Sequence, residues 1–235
     1  MINGITLEIC IGNIEDALRA ASFDEVDRIE VNSALESDGL TPSLATLRLL
    51  REATTKKILC MVRPRKGGFH YTESEKQTML ADAEIFLGHG ADGIVFGSLN
   101  KDRTVDTCFT KKMVSLIRPY GKEAVFHKAF DVTPDPFLAA EELSRMHVTR
   151  ILTSGQMPSV PEGIDMIRQL NTRFKGKIEI LAGGGVNAEN VCDIIHQAGL
   201  SQIHLSAKKT VHDLEDYYAV SEDEIRHVIA RLHTI

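Results

Sequence analysis

The sequence predicts a single-domain (β/α)8 barrel, a closed ring of eight parallel strands with a helix after each. Three observations carry that expectation. Eight short apolar runs alternate with amphipathic segments along the chain. Successive runs start 23, 29, 36, 31, 26, 28 and 24 residues apart, and each interval has room for one strand and one returning helix. The 235 residues carry no Pro/Gly/Ser-rich linker, so residues 1–235 read as one domain of ordinary barrel size. An open doubly wound sheet is the competing arrangement. No GxGxxG turn follows the first strand, which removes the dinucleotide-binding form of that alternative.

In chain order the strands are expected at Ile5–Ile11, Arg28–Asn32, Lys57–Arg63, Gly93–Gly97, Ala124–Ala129, Arg150–Thr153, Ile178–Ala182 and Gln202–Ser206. The intervening helices announce their starts. Asn13 reads as a cap with Glu15 and Asp16 in the first turn, and Thr41-Pro42 and Asp135-Pro136 pair a cap with proline at the first helical position. Thr72 to Glu75 and Ser221 to Glu224 fit a capping box, and Asn187 begins the helix after the seventh strand. Gly88, Gly176 and Gly199 stand where helices stop.

Strand residues alternate between the helix-facing side and the barrel interior. Leu7, Ile9 and Ile11 form the outward apolar set of the first strand, leaving Thr6, Glu8 and Cys10 inside. Ile29 and Val31 face the helices in the second, leaving Arg28, Glu30 and Asn32 inside. The same parity sends Arg63, His127, Thr153, His204 and Ser206 inward and packs Cys60 against a helix. A barrel kept only for stability fills its interior with Val, Ile and Leu. Buried charges cost several kcal/mol unless paired, so Glu8 and Glu30 call for Arg28 and Arg63 as partners. Two outcomes stay open: a salt-bridge network plugging the barrel, or a polar pocket at the carboxyl ends of the strands.

The stretch Lys57–Tyr71 bears on that choice. Its apolar run stops at Arg63-Pro64-Arg65, since proline cannot donate to a sheet ladder, and Lys66-Gly67-Gly68 follows. Cations at a strand's carboxyl end sit where parallel α/β folds bind ligands. Gly183-Gly184-Gly185 after the seventh strand and Ser206-Ala207-Lys208 after the eighth occupy the usual barrel position for a phosphate. Thr153-Ser154-Gly155 extends the same anion cradle. Three glycines also serve tight strand-to-helix packing with no ligand.

Composition narrows the partners. Net charge is −6 from 27 basic and 33 acidic residues, which argues against a general nucleic-acid binder. No apolar run approaches the roughly 18 residues of a membrane span, and MINGITLEICIG lacks a basic leader region, so no membrane association is expected. Cys10, Cys60, Cys108 and Cys192 are scattered, which suggests reduced thiols in the cytoplasm. Without HxxxH, HExxH or CxxC spacing, a structural zinc site has no support.

The combination of Glu8-Ile9-Cys10, Arg28-Ile29-Glu30, Gly39 to Ser43, Arg63-Pro64-Arg65, Gly90 to Gly97, Phe126 to Asp131, Ile151 to Gly155, Gly183 to Gly185 and His204 to Ala207 resembles the CutC family of TIM barrels, named for copper homeostasis. The resemblance runs from Leu7 to about Ala207. It implies a cytoplasmic homo-oligomer, a dimer first of all, with a link to monovalent copper. Of two cysteines proposed as copper ligands in animal relatives, the first matches Cys10, and the second position holds Asn32. The family's usual Arg-Pro-Arg-Gly-Gly-Asp becomes Arg63-Pro64-Arg65-Lys66-Gly67-Gly68, and its Phe-His-Arg becomes Phe126-His127-Lys128.

Two functions follow. In the first, the protein binds Cu(I) through Cys10, with Met61 and His204 as helpers, because soft sulfur suits that ion. In the second, the barrel is an enzyme of aldolase, isomerase or lyase type acting on a small anionic metabolite. There Arg63 and Arg65 hold the anion, and Gly183–Gly185, Thr153, Ser154, His204 and Ser206 line its site. His127 is the general acid or base, with Glu8 or Glu30 setting its protonation. A barrel retained for protein contacts is a third, plainer reading.

Overall fold

Eight parallel strands hydrogen-bond in chain order and the eighth returns to the first, closing the barrel. The computed structural model describes all 235 residues. The strands are β1 (Thr6–Ile11), β2 (Arg28–Val31), β3 (Lys57–Met61), β4 (Gly93–Phe96), β5 (Glu123–Phe126), β6 (Arg150–Thr153), β7 (Glu179–Gly183) and β8 (Gln202–Leu205). The helices are α1 (Ile14–Ala21), α2 (Leu44–Ala53), α3 (Glu73–Gly88), α4 (Thr107–Ile117), α5 (Pro136–Arg145), α6 (Ile164–Phe174), α7 (Val191–Ala198) and α8 (Glu222–Leu232). The competing open sheet is thereby excluded. No helix is long and apolar enough to cross a membrane.

The period-two alternation holds except in β6, where Arg150 and Leu152 face the interior and Thr153, expected inside, is on the opposite parity and outside the cavity lining. Leu7, Ile9, Ile11, Ile29, Val31 and Cys60 join a 62-residue buried cluster outside the barrel strands. Each fully buried Leu or Ile contributes about 1.5–3 kcal/mol, so this layer between strands and helices dominates the stabilisation. Inside the barrel the apolar part is small: Leu59, Met61, Val95 and Val125 form a separate cluster of four.

The interior is divided by height, and both sequence-level outcomes occur. Toward the amino ends of the strands, charged side chains interlock as a plug. Arg150, 2% exposed, donates to Glu123 and Glu179, each at 2.9 Å. Gln202 donates to Glu179 at 3.2 Å and accepts from Arg28 at 2.8 Å. Above the plug the barrel opens into a cavity of about 630 Å³.

Several boundaries differ from the sequence expectation. Ser43, not Thr41, caps α2, its hydroxyl accepting from Thr46 N; the Thr41 hydroxyl accepts instead from Arg63 N at 2.9 Å. The Asn187 side chain accepts from the amides of Glu189 and Asn190 in a turn, so α7 begins at Val191. β5 stops at Phe126 rather than running to Ala129, because His127 Nδ1 accepts from Ala129 N and starts a 3-10 turn over Lys128–Val132. After β8 the chain forms an antiparallel hairpin, β9 (Lys208–Val211) with β10 (Tyr217–Val220), that sequence reading leaves out.

Candidate metal centre

β1, β2 and β8 are neighbours in the barrel, so their inward side chains meet. The register pairs Cys10 with Glu30 across β1 and β2, and Glu8 with His204 across β1 and β8. As a result one ligand atom each from Cys10, Glu30 and His204 lies within 4.8 Å of the others. All three line the floor of the cavity and are buried. A thiol, a carboxylate and an imidazole at this spacing are three donors that could hold a metal ion.

The surrounding contacts fix how each donor is presented. His204 Nδ1 lies 2.7 Å from the Glu8 carboxylate, and Arg28 Nε donates to the other Glu8 oxygen at 2.7 Å. Glu8 can only accept there, so the proton sits on Nδ1, and Nε2 faces Glu30 Oε2 at 4.0 Å. This carboxylate–imidazole–metal arrangement orients a histidine ligand and raises its basicity. The Asn32 amide donates to Glu30 Oε2 at 2.8 Å and to Cys10 Sγ at 3.3 Å.

Electrostatics follow from this packing. Burial on its own raises the Glu8 carboxyl, but Arg28 and then His204 reverse that and hold it down to about 2. Burial, with Glu8 adding repulsion, pushes the Glu30 carboxyl up. Burial would lower His204, yet Glu30 and Glu8 outweigh it and push it above the usual imidazole range. The Cys10 thiol is pushed well up by burial, then by the Glu30 charge. Cys10 therefore rests as a thiol, and a metal ion that binds its sulfur as a thiolate must displace that proton.

Gly183 makes room for this histidine. A Cβ there would come within 2.6 Å of Leu152 Cδ1 and 2.8 Å of His204 Cδ2. It therefore serves close packing beside the imidazole. Neither Gly183, Gly184 nor Gly185 lines the cavity. With α7 starting at Val191, their amides are also not a helix N-terminus as expected.

Of the other expected site residues, Arg63, His127, Ser154 and Ser206 line the same cavity, and Arg65 and Thr153 do not. Arg63 pairs with neither Glu8 nor Glu30; its guanidinium donates to the carbonyls of Ser37, Asp38, Gly39 and Gly67 and ties two loops together. The arginine paired with Glu8 is Arg28 instead. Arg65 lies outside this cavity, paired with Glu75 at 2.5 Å. His127 lines the cavity yet is bonded to neither carboxylate, and burial, with Arg63 nearby, lowers its imidazole to about 3, so it stays neutral. Ser206 lines the rim beside Lys208. Thr153 and Ser154 are occupied by Asp131, whose carboxylate accepts from both hydroxyls and from the amides of Ser154 and Gln156. The expected anion cradle after β6 is thus filled by the chain's own carboxylate. Sequence reasoning assigned Asp131 no role; it lies four residues past His127, in the 3-10 turn that follows β5.

The centre sits in a chain whose sequence is matched by the CutC family model over residues 5–209. The chain belongs to the CutC family. A CutC family protein of Treponema denticola is 46% identical over 208 residues, covering 88% of this chain and 83% of that protein. The human copper homeostasis protein cutC homolog is 36% identical over 208 residues, covering 88% of this chain and 75% of its own. Among solved structures, CutC from Streptococcus agalactiae superposes with a TM-score of 0.79 at 31% identity, over 86% of this chain and 98% of that one. A 3-hexulose-6-phosphate synthase from Salmonella typhimurium reaches 0.68 at 16% identity, over 98% and 99% of the two chains, which is likeness of fold alone.

Proposed function

We propose that this protein binds one Cu(I) ion at Cys10 and His204, with Glu30 beside them, and serves copper homeostasis through that site. The observation that carries this reading is the convergence of the three donors within 4.8 Å on the cavity floor. A thiolate and an imidazole suit Cu(I), and the copper homeostasis names of relatives agree with that choice of metal. Glu30 is a hard donor and serves Cu(I) poorly; its carboxylate stands 4.0 Å from His204 Nε2 and lines the site beside the two soft donors. Met61, from β3, lines the same cavity and offers a soft thioether nearby. Asn32 stands where a second thiol has been proposed in animal relatives, and its amide holds Cys10 and Glu30 in place rather than binding metal.

We also propose a cytoplasmic homodimer. Four cysteines without disulfides suit a reducing compartment, and the dimer rests on the family resemblance. The metal site is tested by anaerobic Cu(I) titration against bicinchoninate. Wild type is expected to take one equivalent, and Cys10→Ser and His204→Ala to lose it. Equal competition by wild type and Cys10→Ser would remove the site.

A further inference from the structure

The cavity above Cys10 and His204 is far larger than an ion needs. It measures about 630 Å³. A water molecule's share of liquid volume is about 30 Å³, whereas pockets for small organic ligands run from about 300 to 1,000 Å³. Its walls are amphipathic: Leu35, Phe69 and Met157 supply apolar surface, and Lys128 and Lys208 bring ammonium groups. Neither lysine is held in a close ion pair. Lys128 Nζ stands 3.7 Å from Asp131, whose carboxylate already accepts from the segment after β6, and Lys208 Nζ lies 4.2 Å from the centre of the Tyr218 ring. The volume of this space and its two ammonium groups point to an anionic organic occupant.

We propose that the cavity receives Cu(I) together with a small anionic organic thiolate. The metal rests on Cys10 and His204, and the organic acid lies against Lys128 and Lys208. This inference rests on the Cu(I) reading of the centre. Delivery is a ligand exchange. A bis-thiolate Cu(I) complex enters; one copper–thiolate bond breaks as the Cys10 Sγ–copper bond forms, and the departing thiolate carries away the Cys10 proton as free thiol. His204, its Nδ1 proton held by Glu8, adds its Nε2 lone pair to the metal. Copper remains monovalent throughout, and the second thiolate stays in the cavity as a third ligand.

Anaerobic native mass spectrometry of the whole protein tests this with Cu(I) and an excess of either N-acetylcysteine, which carries a carboxylate, or cysteamine, which carries a cation. The expected species is protein plus copper plus N-acetylcysteine, with no cysteamine counterpart. In a Lys128→Ala/Lys208→Ala double variant the ternary species should fall at least tenfold while protein plus copper persists. Protein plus copper with no N-acetylcysteine adduct, or an adduct formed equally with both thiols, overturns the proposal and leaves the metal site standing. A ternary species undiminished in the double variant removes the lysine contact and overturns it too. Copper retained in no arm overturns both readings. The comparison of the two thiols on wild type needs no variant to fold.

Discussion

Glu8→Gln is the perturbation that separates the parts of this centre. Glu8 is 1% exposed and receives Arg28 Nε and His204 Nδ1, both at 2.7 Å. Glutamine keeps the shape but removes the charge, leaving the Arg28 guanidinium buried beside a neutral amide. Breaking a buried pair by neutralising one partner costs about 3–5 kcal/mol. The pKa gives an independent figure: a carboxyl held from 4.5 down to about 2 corresponds to about 3 kcal/mol at 1.36 kcal/mol per unit. Because the folded value is depressed, that stabilisation is present above pH 4.5 and lost as pH falls toward 2. At neutral pH, urea unfolding of the metal-free variant should therefore show a loss of about 3 kcal/mol or more. At about 2–4 °C per kcal/mol for a chain of this size, the thermal midpoint should drop by about 6 °C or more. The same change leaves a single, neutral acceptor oxygen for Arg28 and His204 together and loosens the hold on the His204 tautomer, so Cu(I) affinity should fall about 10–100-fold. A destabilisation under about 1 kcal/mol, together with unchanged Cu(I) affinity, would refute the reasoning.

Further outcomes follow from the same geometry. Cu(I) binding should strengthen with rising pH and release about one proton per ion, from the Cys10 thiol that burial keeps protonated, as read by calorimetry in buffers of different ionisation enthalpy. His127 titrates near 3 in the folded chain against 6.5 ordinarily, so its contribution to stability is present above pH 6.5 and lost as pH falls toward 3. The urea midpoint of His127→Gln should accordingly depend less on pH across that window than that of wild type. Gly183→Ala puts a methyl within 2.8 Å of the His204 ring and should cost about 1–3 kcal/mol while weakening Cu(I) binding, measured by urea unfolding and chelator competition. Asp131→Ala strands two amides and two hydroxyls after β6 and should cost at least about 2 kcal/mol in the same unfolding assay.

The barrel was legible because its signals are local. Period-two alternation places Leu7, Ile9 and Ile11 outward and Glu8 and Cys10 inward whatever the neighbouring strands do, and the cap at Thr72 depends on residues within one turn. The site was legible only in part. That Glu8, Cys10, Glu30 and His204 face one space follows from parity, but which of them touch depends on shear around the ring, and only the register of β8 against β1 puts His204 rather than His127 beside Glu8. Arg63 illustrates the limit. Its charge and position at the end of β3 invite an ion pair, yet the loop carbonyls of Ser37, Asp38 and Gly39 reach it first. Loop conformation of that kind is set by many weak contacts and leaves little trace in sequence. The hairpin β9–β10 escaped for a similar reason, its strands being four residues each and largely exposed.

Copper K-edge X-ray absorption on the protein loaded anaerobically from an acetonitrile complex of Cu(I) tests the centre most directly. A sulfur scatterer and an imidazole nitrogen are expected in the wild type, with the sulfur lost in Cys10→Ser and the imidazole lost in His204→Ala. A coordination shell unchanged by either substitution would contradict a Cu(I) site at Cys10 and His204.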